Sequence, residues 1–281
     1  MFVINAKQVI TTITLSLFSI GAFAHETIVG GDDVTAADQI ASTTVALYFE
    51  SAPAIGQAAR VRDGSTYDRI RRSRLGEGSI CTGSILDSGT ILTAAHCVIG
   101  AKQGVVIFST DIKNHNPANT RQISAVKVYA RLSNTAATAS EQRDIATVTF
   151  LGGLPAGYKP VQTISSQAAL TNSLQAGGSI VLAGYGVTSY NPANPIGSSA
   201  TAGTLRKVTT KIEKVGTSNL WVGFVGKTAC HGDSGGPAFI NYQGEMVLVG
   251  VTSRSTRPTG DCNGDSIYTQ FTGLNSFKSS L

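Results

Sequence analysis

Hardly any stretch of this sequence carries the 3.6-residue apolar period of a helix. Short runs rich in β-branched and aromatic residues take its place. They lie at 44–49, 84–93, 104–109, 125–131 and 145–151, then at 179–184, 205–215, 220–225 and 246–252. Within 125–131 the alternation is regular, with Val126, Val128 and Ala130 on one face and Lys127, Tyr129 and Arg131 on the other. Clusters of Gly, Asn, Pro and Ser separate the runs. Short strands with turn signals between them predict an all-β barrel or sandwich. Residues 152–160, bearing Gly and Pro, lie midway and are placed to join two β domains. Only the chain end reads as helical, with Phe271, Leu274 and Phe277 three apart. No internal repeat of fixed period is visible.

Composition agrees with a packed core. Of 281 residues 42% are hydrophobic and 14% charged, which excludes intrinsic disorder. The 31 glycines follow no Gly-X-Y period, which excludes collagen. The length suits one large domain or two medium ones. The net charge of +5 leaves open a nucleic acid, an acidic surface, or a few solvated arginines.

Residues 1–24 read as a secretory signal. Lys7 and the amino terminus supply positive charge, Val9 to Ala24 is mostly apolar, and Ala22-Phe23-Ala24 is a small-x-small cleavage site. The alternative is a membrane anchor, but this apolar stretch falls short of the roughly 20 residues a span needs. Export to an extracellular or periplasmic space implies oxidising conditions, in which disulfides persist. Four cysteines remain, Cys81, Cys97, Cys230 and Cys262, and counting alone leaves three pairings open.

Four motifs carry the chemistry. Gly232-Asp233-Ser234-Gly235-Gly236-Pro237 follows Cys230, and Thr93-Ala94-Ala95-His96-Cys97 stands far upstream. Between them lies Arg143-Asp144-Ile145-Ala146, and Ile28-Val29-Gly30-Gly31 comes first. Taken singly, each has a bland reading: a glycine-rich turn, a core histidine, a turn aspartate. Together, in the order His, Asp, Ser, they resemble the trypsin/chymotrypsin family of serine endopeptidases over nearly all of the chain after Thr27. The resemblance implies two six-stranded antiparallel Greek-key β-barrels with the active site between them and a short C-terminal helix. It divides the chain into a propeptide at 25–27, a first barrel at 28–151 and a second at 152–281.

The resemblance also assigns roles. Ser234 is the nucleophile, a hydroxyl too weak at neutral pH without a base in reach. His96 is that base and later the acid that protonates the leaving amine. Asp144 fixes the imidazole tautomer and stabilises the imidazolium. The N–H groups of Gly232 and Ser234 form the oxyanion hole. Disulfides are implied at Cys81–Cys97 and Cys230–Cys262. Cleavage before Ile28 frees an α-amine that pairs with Asp233, the switch of a zymogen. Thr27 before that bond makes self-activation by a tryptic activity doubtful, so another protease is expected to make the cut.

The specificity pocket aligns with Thr228 at its floor, Ser253-Arg254-Ser255 on one wall and Ser266 on another. Thr228 cannot pair with Lys or Arg as an aspartate there would. Ser253 is placed to help hold Asp144, Ser255 narrows the mouth, and Arg254 stands where relatives often have Trp. A polar, uncharged, narrowed pocket implies small or medium neutral side chains before the cut. Asp265 swinging into the pocket would instead restore basic substrates.

Metals and cofactors are not expected. His25, His115 and His231 form no HExxH pair, and the cysteines form no CxxC. Expected partners are protein or peptide substrates, an activating protease and protein inhibitors; the chain is expected to be a monomer, with no nucleic acid and no membrane once the signal is removed. The competing class is a binding module on the same fold, which would typically have lost one of the three residues. The charge is local: within 51–76, Arg60, Arg62, Arg69, Arg71, Arg72 and Arg74 face Asp63 and Asp68, six against two, or +4 of the total. That insertion is either a solvated loop or a basic rim favouring acidic residues beyond the cut.

Overall fold

The structure is a computed structural model that describes residues 28–50, 78–101, 103–130, 143–191, 193–194, 200–257 and 261–273. The expected signal and propeptide, the basic insertion, residues 192 and 195–199, and all but the start of the expected C-terminal helix lie outside these residues. Its described start, Phe271 to Gly273, has no regular structure.

Two closed antiparallel barrels make up the fold. The first contains β2 (Thr44–Glu50), β3 (Gly78–Ile85), β4 (Thr90–Thr93), β5 (Gln103–Ile107), β6 (Thr120–Ala130) and β7 (Ile145–Phe150), in the order β2-β3-β4-β7-β6-β5, closed by β5 on β2. The second contains β9 (Ser179–Gly184), β10 (Arg206–Val215), β11 (Asn219–Val222), β12 (Pro237–Tyr242), β13 (Glu245–Ser255) and β14 (Ser266–Gln270). It runs β10-β11-β14-β13-β12-β9 and closes by β9 on β10. Closure removes the exposed edges that open sheets must protect. Two short strands attach from outside: β1 (Asp32–Asp33) on β10, and β8 (Gln162–Thr163) parallel to β13. The segment that precedes the first barrel in sequence is thus tied to the second, and Ile28 lies in the second barrel's core.

The strands form where the residues alternate or stay apolar. In β10, Val208, Thr210 and Ile212 point inward while Thr209, Lys211 and Glu213 face water. β2 is buried along almost its whole length because it packs on both sides. The first core runs across the interface to take in Tyr185, Leu205, Phe239 and Val251 of the second half. Tyr185 ties the halves together: its hydroxyl donates to the Ser109 carbonyl at 2.6 Å and, more weakly, to the Thr44 carbonyl at 3.4 Å.

Several expectations need correction. The run 84–93 is two strands, because Asp87 Oδ1 accepts from the Gly89 amide at 2.8 Å and turns the chain. In β6, Val126 and Val128 are exposed, and Ile123 and Tyr129 pack on the core. Register shifts at Ile123/Ala125 and Val128/Ala130 rotate the strand between its ends, so strict alternation does not hold across it. β12 and β14 carried no alternation strong enough to read. Two short helices were also missed: α1 (Ala95–Val98) and α2 (Gln167–Ser173), the latter capped by Ser166, whose hydroxyl accepts from the Ala169 amide.

Candidate active site

The first barrel delivers His96 and Asp144. β4 pairs with β7 as far as Thr93 and Ala146, so the short helix after β4 and the residue before β7 start side by side and bring His96 to Asp144. Asp144 is fully buried, and the His96 side chain is 38% exposed. The His96 amide donates to Asp144 Oδ1 at 3.0 Å, and His96 Nδ1 meets Asp144 Oδ2 at 2.6 Å. Ser253 Oγ donates to the same Oδ2 at 2.8 Å, and the Asp144 amide donates to Thr269 Oγ1 at 3.1 Å. Burial alone would push the Asp144 pKa up. The hydrogen bonds from His96 and Ser253, with the charge of the ring, outweigh it and hold the carboxyl below its usual 3.8. An ionised carboxylate accepts a hydrogen bond from Nδ1–H, which leaves the lone pair of the neutral ring at Nε2.

The second barrel delivers Ser234 on the turn before β12. Gly232 (φ 98°) and Gly235 (φ 80°) adopt the left-handed region that side chains disfavour. A Cβ on Gly235 would also sit 2.0 Å from Thr93 Oγ1, so the turn fits against the first barrel only with glycine there. Thr82 of β3 fastens it, its amide donating to the Ser234 carbonyl at 2.8 Å and its hydroxyl to the Gly232 carbonyl at 3.0 Å. Cys97 Sγ lies 3.9 Å from His96 Nε2 and 3.6 Å from the Ser234 carbonyl oxygen, so imidazole and turn flank one disulfide. The disulfides are Cys81–Cys97 and Cys230–Cys262. Cys81, His96 and Cys97 lie close enough to suggest metal ligands, but both sulfurs are bonded to each other and neither is the thiolate a metal needs.

The peptide joining His231 and Gly232 is held in one orientation. Its carbonyl accepts from the Val187 amide at 2.9 Å. In a trans peptide the N–H points opposite to the C=O, so the Gly232 N–H is directed away from Val187. Behind this turn the Asp233 carboxylate is buried, accepting from the Gly186 and Cys230 amides, each at 2.8 Å. Burial pushes its pKa up to about 7 against those two bonds and the charge of Arg206. Ile28, also fully buried, has φ 40°, a strained value for a β-branched residue.

Fold, turn and residue order agree with one family. Residues 58–278 match the sequence profile of the trypsin family. The chain belongs to the trypsin family. Among curated relatives it is 26% identical over 238 residues to serine protease SP24D of Anopheles gambiae, covering 78% of this chain and 77% of the relative. It is 30% identical over 210 residues to the fibrinolytic enzyme, isozyme C, of Lumbricus rubellus, covering 68% and 83%. It is 29% identical over 192 residues to trypsin Blo t 3 of Blomia tropicalis, covering 62% and 66%.

In this trypsin-family chain a cavity of about 320 Å³ opens beside Ser234. Ser253, Arg254, Ser255 and Ser266 line it. Thr228 does not: it is fully buried beneath, its Oγ1 2.9 Å from Ser266 Oγ. Asp265 does not either, since its carboxylate accepts from the Thr256 hydroxyl at 2.8 Å. Three contributors went unread in the sequence. Thr269 and Thr82 hold backbone groups of Asp144, Gly232 and Ser234, a role that no motif records. Arg257, which also lines the cavity, lies just past the aligned wall. Among the described residues, no helix is long and apolar enough to cross a membrane.

Proposed function

We propose that the mature protein is a secreted serine endopeptidase working through an acyl-enzyme. His96 Nε2 takes the proton from Ser234 Oγ as that oxygen attacks the scissile carbonyl. The oxyanion is met by the N–H groups of Gly232 and Ser234, of which one donor is worth roughly 3–4 kcal/mol of barrier. The imidazolium, stabilised by Asp144, then gives its proton to the leaving amine, and water repeats the cycle to release the acid. The observation that carries this reading is the 2.6 Å contact between His96 Nδ1 and a fully buried carboxylate, beside the Ser234 turn.

Activation follows cleavage of the Thr27–Ile28 bond by another protease. The reading is supported by the two groups that cleavage would relieve. A free amino terminus no longer has a φ to strain at Ile28, and its ammonium supplies the positive charge that the buried Asp233 carboxylate needs. A buried pair of this kind serves as a switch more than as a source of stability. Judged from its floor, where Ser266 and the buried Thr228 beneath it carry no charge, the pocket admits small or medium side chains and offers Lys or Arg no counter-ion.

Hydrolysis of an unstructured protein by the chain beginning at Ile28, compared with its Ser234→Ala variant, tests the assignment. The variant should lose on the order of 10⁶ in turnover, as nucleophile removal does in an unrelated serine protease. Equal rates would reject it.

A further inference from the structure

The walls of the pocket carry a charge that its floor does not. Arg254 and Arg257 both line the cavity beside Ser234, together with Ser255. Arg254 is half-buried on β13, where its Nη1 lies 3.4 Å from Ser253 Oγ. The Arg257 side chain lies against Gly264, where a Cβ would come 3.0 Å from its Cγ and 3.2 Å from its Nε, so glycine leaves room for it beside the cavity. Among the described residues the Arg257 guanidinium has no carboxylate partner. Ser255 Oγ accepts from the Arg257 amide at 3.0 Å and keeps its own proton to donate. The carboxylates nearest in sequence are engaged elsewhere: Asp265 with the Thr256 hydroxyl, Asp261 with the Asn263 amide at 3.1 Å. Neither lines the cavity.

We propose that this pocket selects an acidic side chain, Glu or Asp, at the residue before the cut. Two guanidinium groups and a serine hydroxyl, with no lining carboxylate, form a donor-rich rim, and an ionised carboxylate is an acceptor-only group. Arg suits the task because its planar fork binds both carboxylate oxygens. The uncharged floor admits a side chain of that size without asking for a positive charge. A lysine or arginine would instead meet like charge on entry. The inference rests on the serine endopeptidase reading, of which it names the substrate class.

The test uses the processed chain beginning at Ile28. Peptide anilides differing only before the cut, with Glu, Asp, Gln, Ala, Leu or Lys, are compared by kcat/KM, and fluorophosphonate labelling of Ser234 is scored in the same sample. Glu over its isostere Gln should be favoured by about tenfold or more, the margin of a charged over a neutral hydrogen bond. That ratio should fall toward one in Arg254→Gln and Arg257→Gln, and should shrink as salt rises. Taking the ratio removes any general effect that Arg254 exerts through Asp144. A labelled enzyme that prefers Gln, Leu or Lys, or whose ratio survives both substitutions, overturns the acidic preference alone. An enzyme that never labels overturns the endopeptidase reading and this proposal with it.

Discussion

Ser253 Oγ and His96 Nδ1 converge on one oxygen, Asp144 Oδ2, at 2.8 and 2.6 Å. The hydroxyl comes from the second barrel and the imidazole from the first, so the carboxylate is satisfied only when the barrels are docked. Ser253→Ala removes one of the bonds that hold the Asp144 carboxyl below its usual range, and its pKa should rise. That stabilisation is present above the unfolded pKa and is lost as pH falls from there through the lower folded value; the variant should therefore lose stability above about pH 4 and progressively less as the pH drops further. We expect about 1–2 kcal/mol at pH 7 and a lower kcat, read from denaturant titrations and the pH–rate profile.

Asp233 titrates in the opposite sense. Its folded pKa lies near 7, above the ordinary carboxyl value, so the uncleaved chain is favoured at low pH. Stability should fall as pH rises from about 4 through 7, by a few kcal/mol. The cleaved chain, with the Ile28 ammonium paired to Asp233, should escape that loss. Denaturant midpoints of the Ser234→Ala protein, measured from pH 4 to 8 before and after removal of residues 1–27, should diverge as pH rises. Parallel curves would contradict the pairing.

Tyr185→Phe keeps the ring and removes the hydroxyl that reaches Ser109 and Thr44 across the barrel interface. Leaving a buried carbonyl without its donor should cost about 1–3 kcal/mol. The activity should fall too, because the interface sets where Ser234 stands relative to His96. Calorimetry and kcat/KM measure the two effects separately.

The two disulfides should differ in function more than in stability. Their closed loops span 16 and 32 residues, a difference worth only about 0.6 kcal/mol, with each bridge worth about 3. Cys230 and Cys262 also line the cavity. Replacing that pair by alanine should lower kcat/KM well beyond what the same change at Cys81 and Cys97 does, at similar losses in melting temperature.

The candidate site was legible because the proposed chemistry needs particular residues at fixed places. The glycines around Ser234, the histidine after β4 and the aspartate before β7 stand out as letters. Ser253 was legible in its contact with Asp144 for the same reason. The barrels were legible through β2, β9 and β10, whose apolar or alternating runs match their burial. β14 was not, because its five residues are buried on both faces and show no period. In β6 the register shifts left the apolar face of Val126 and Val128 exposed, which alternation alone does not show. Thr228 was placed in the pocket by alignment, but its side chain turns to Ser266 beneath. Arg257 was missed because its role depends on an arm laid along Gly264, a relation no local pattern contains.

The most direct measurement is the intact mass of the chain beginning at Ile28 after exposure to a fluorophosphonate, with peptide mapping of the adduct. One adduct is expected, on Ser234, formed rapidly in this chain and suppressed in His96→Ala and Asp144→Ala. No adduct on folded, processed protein, or labelling of Ser234 that does not depend on His96, would contradict it.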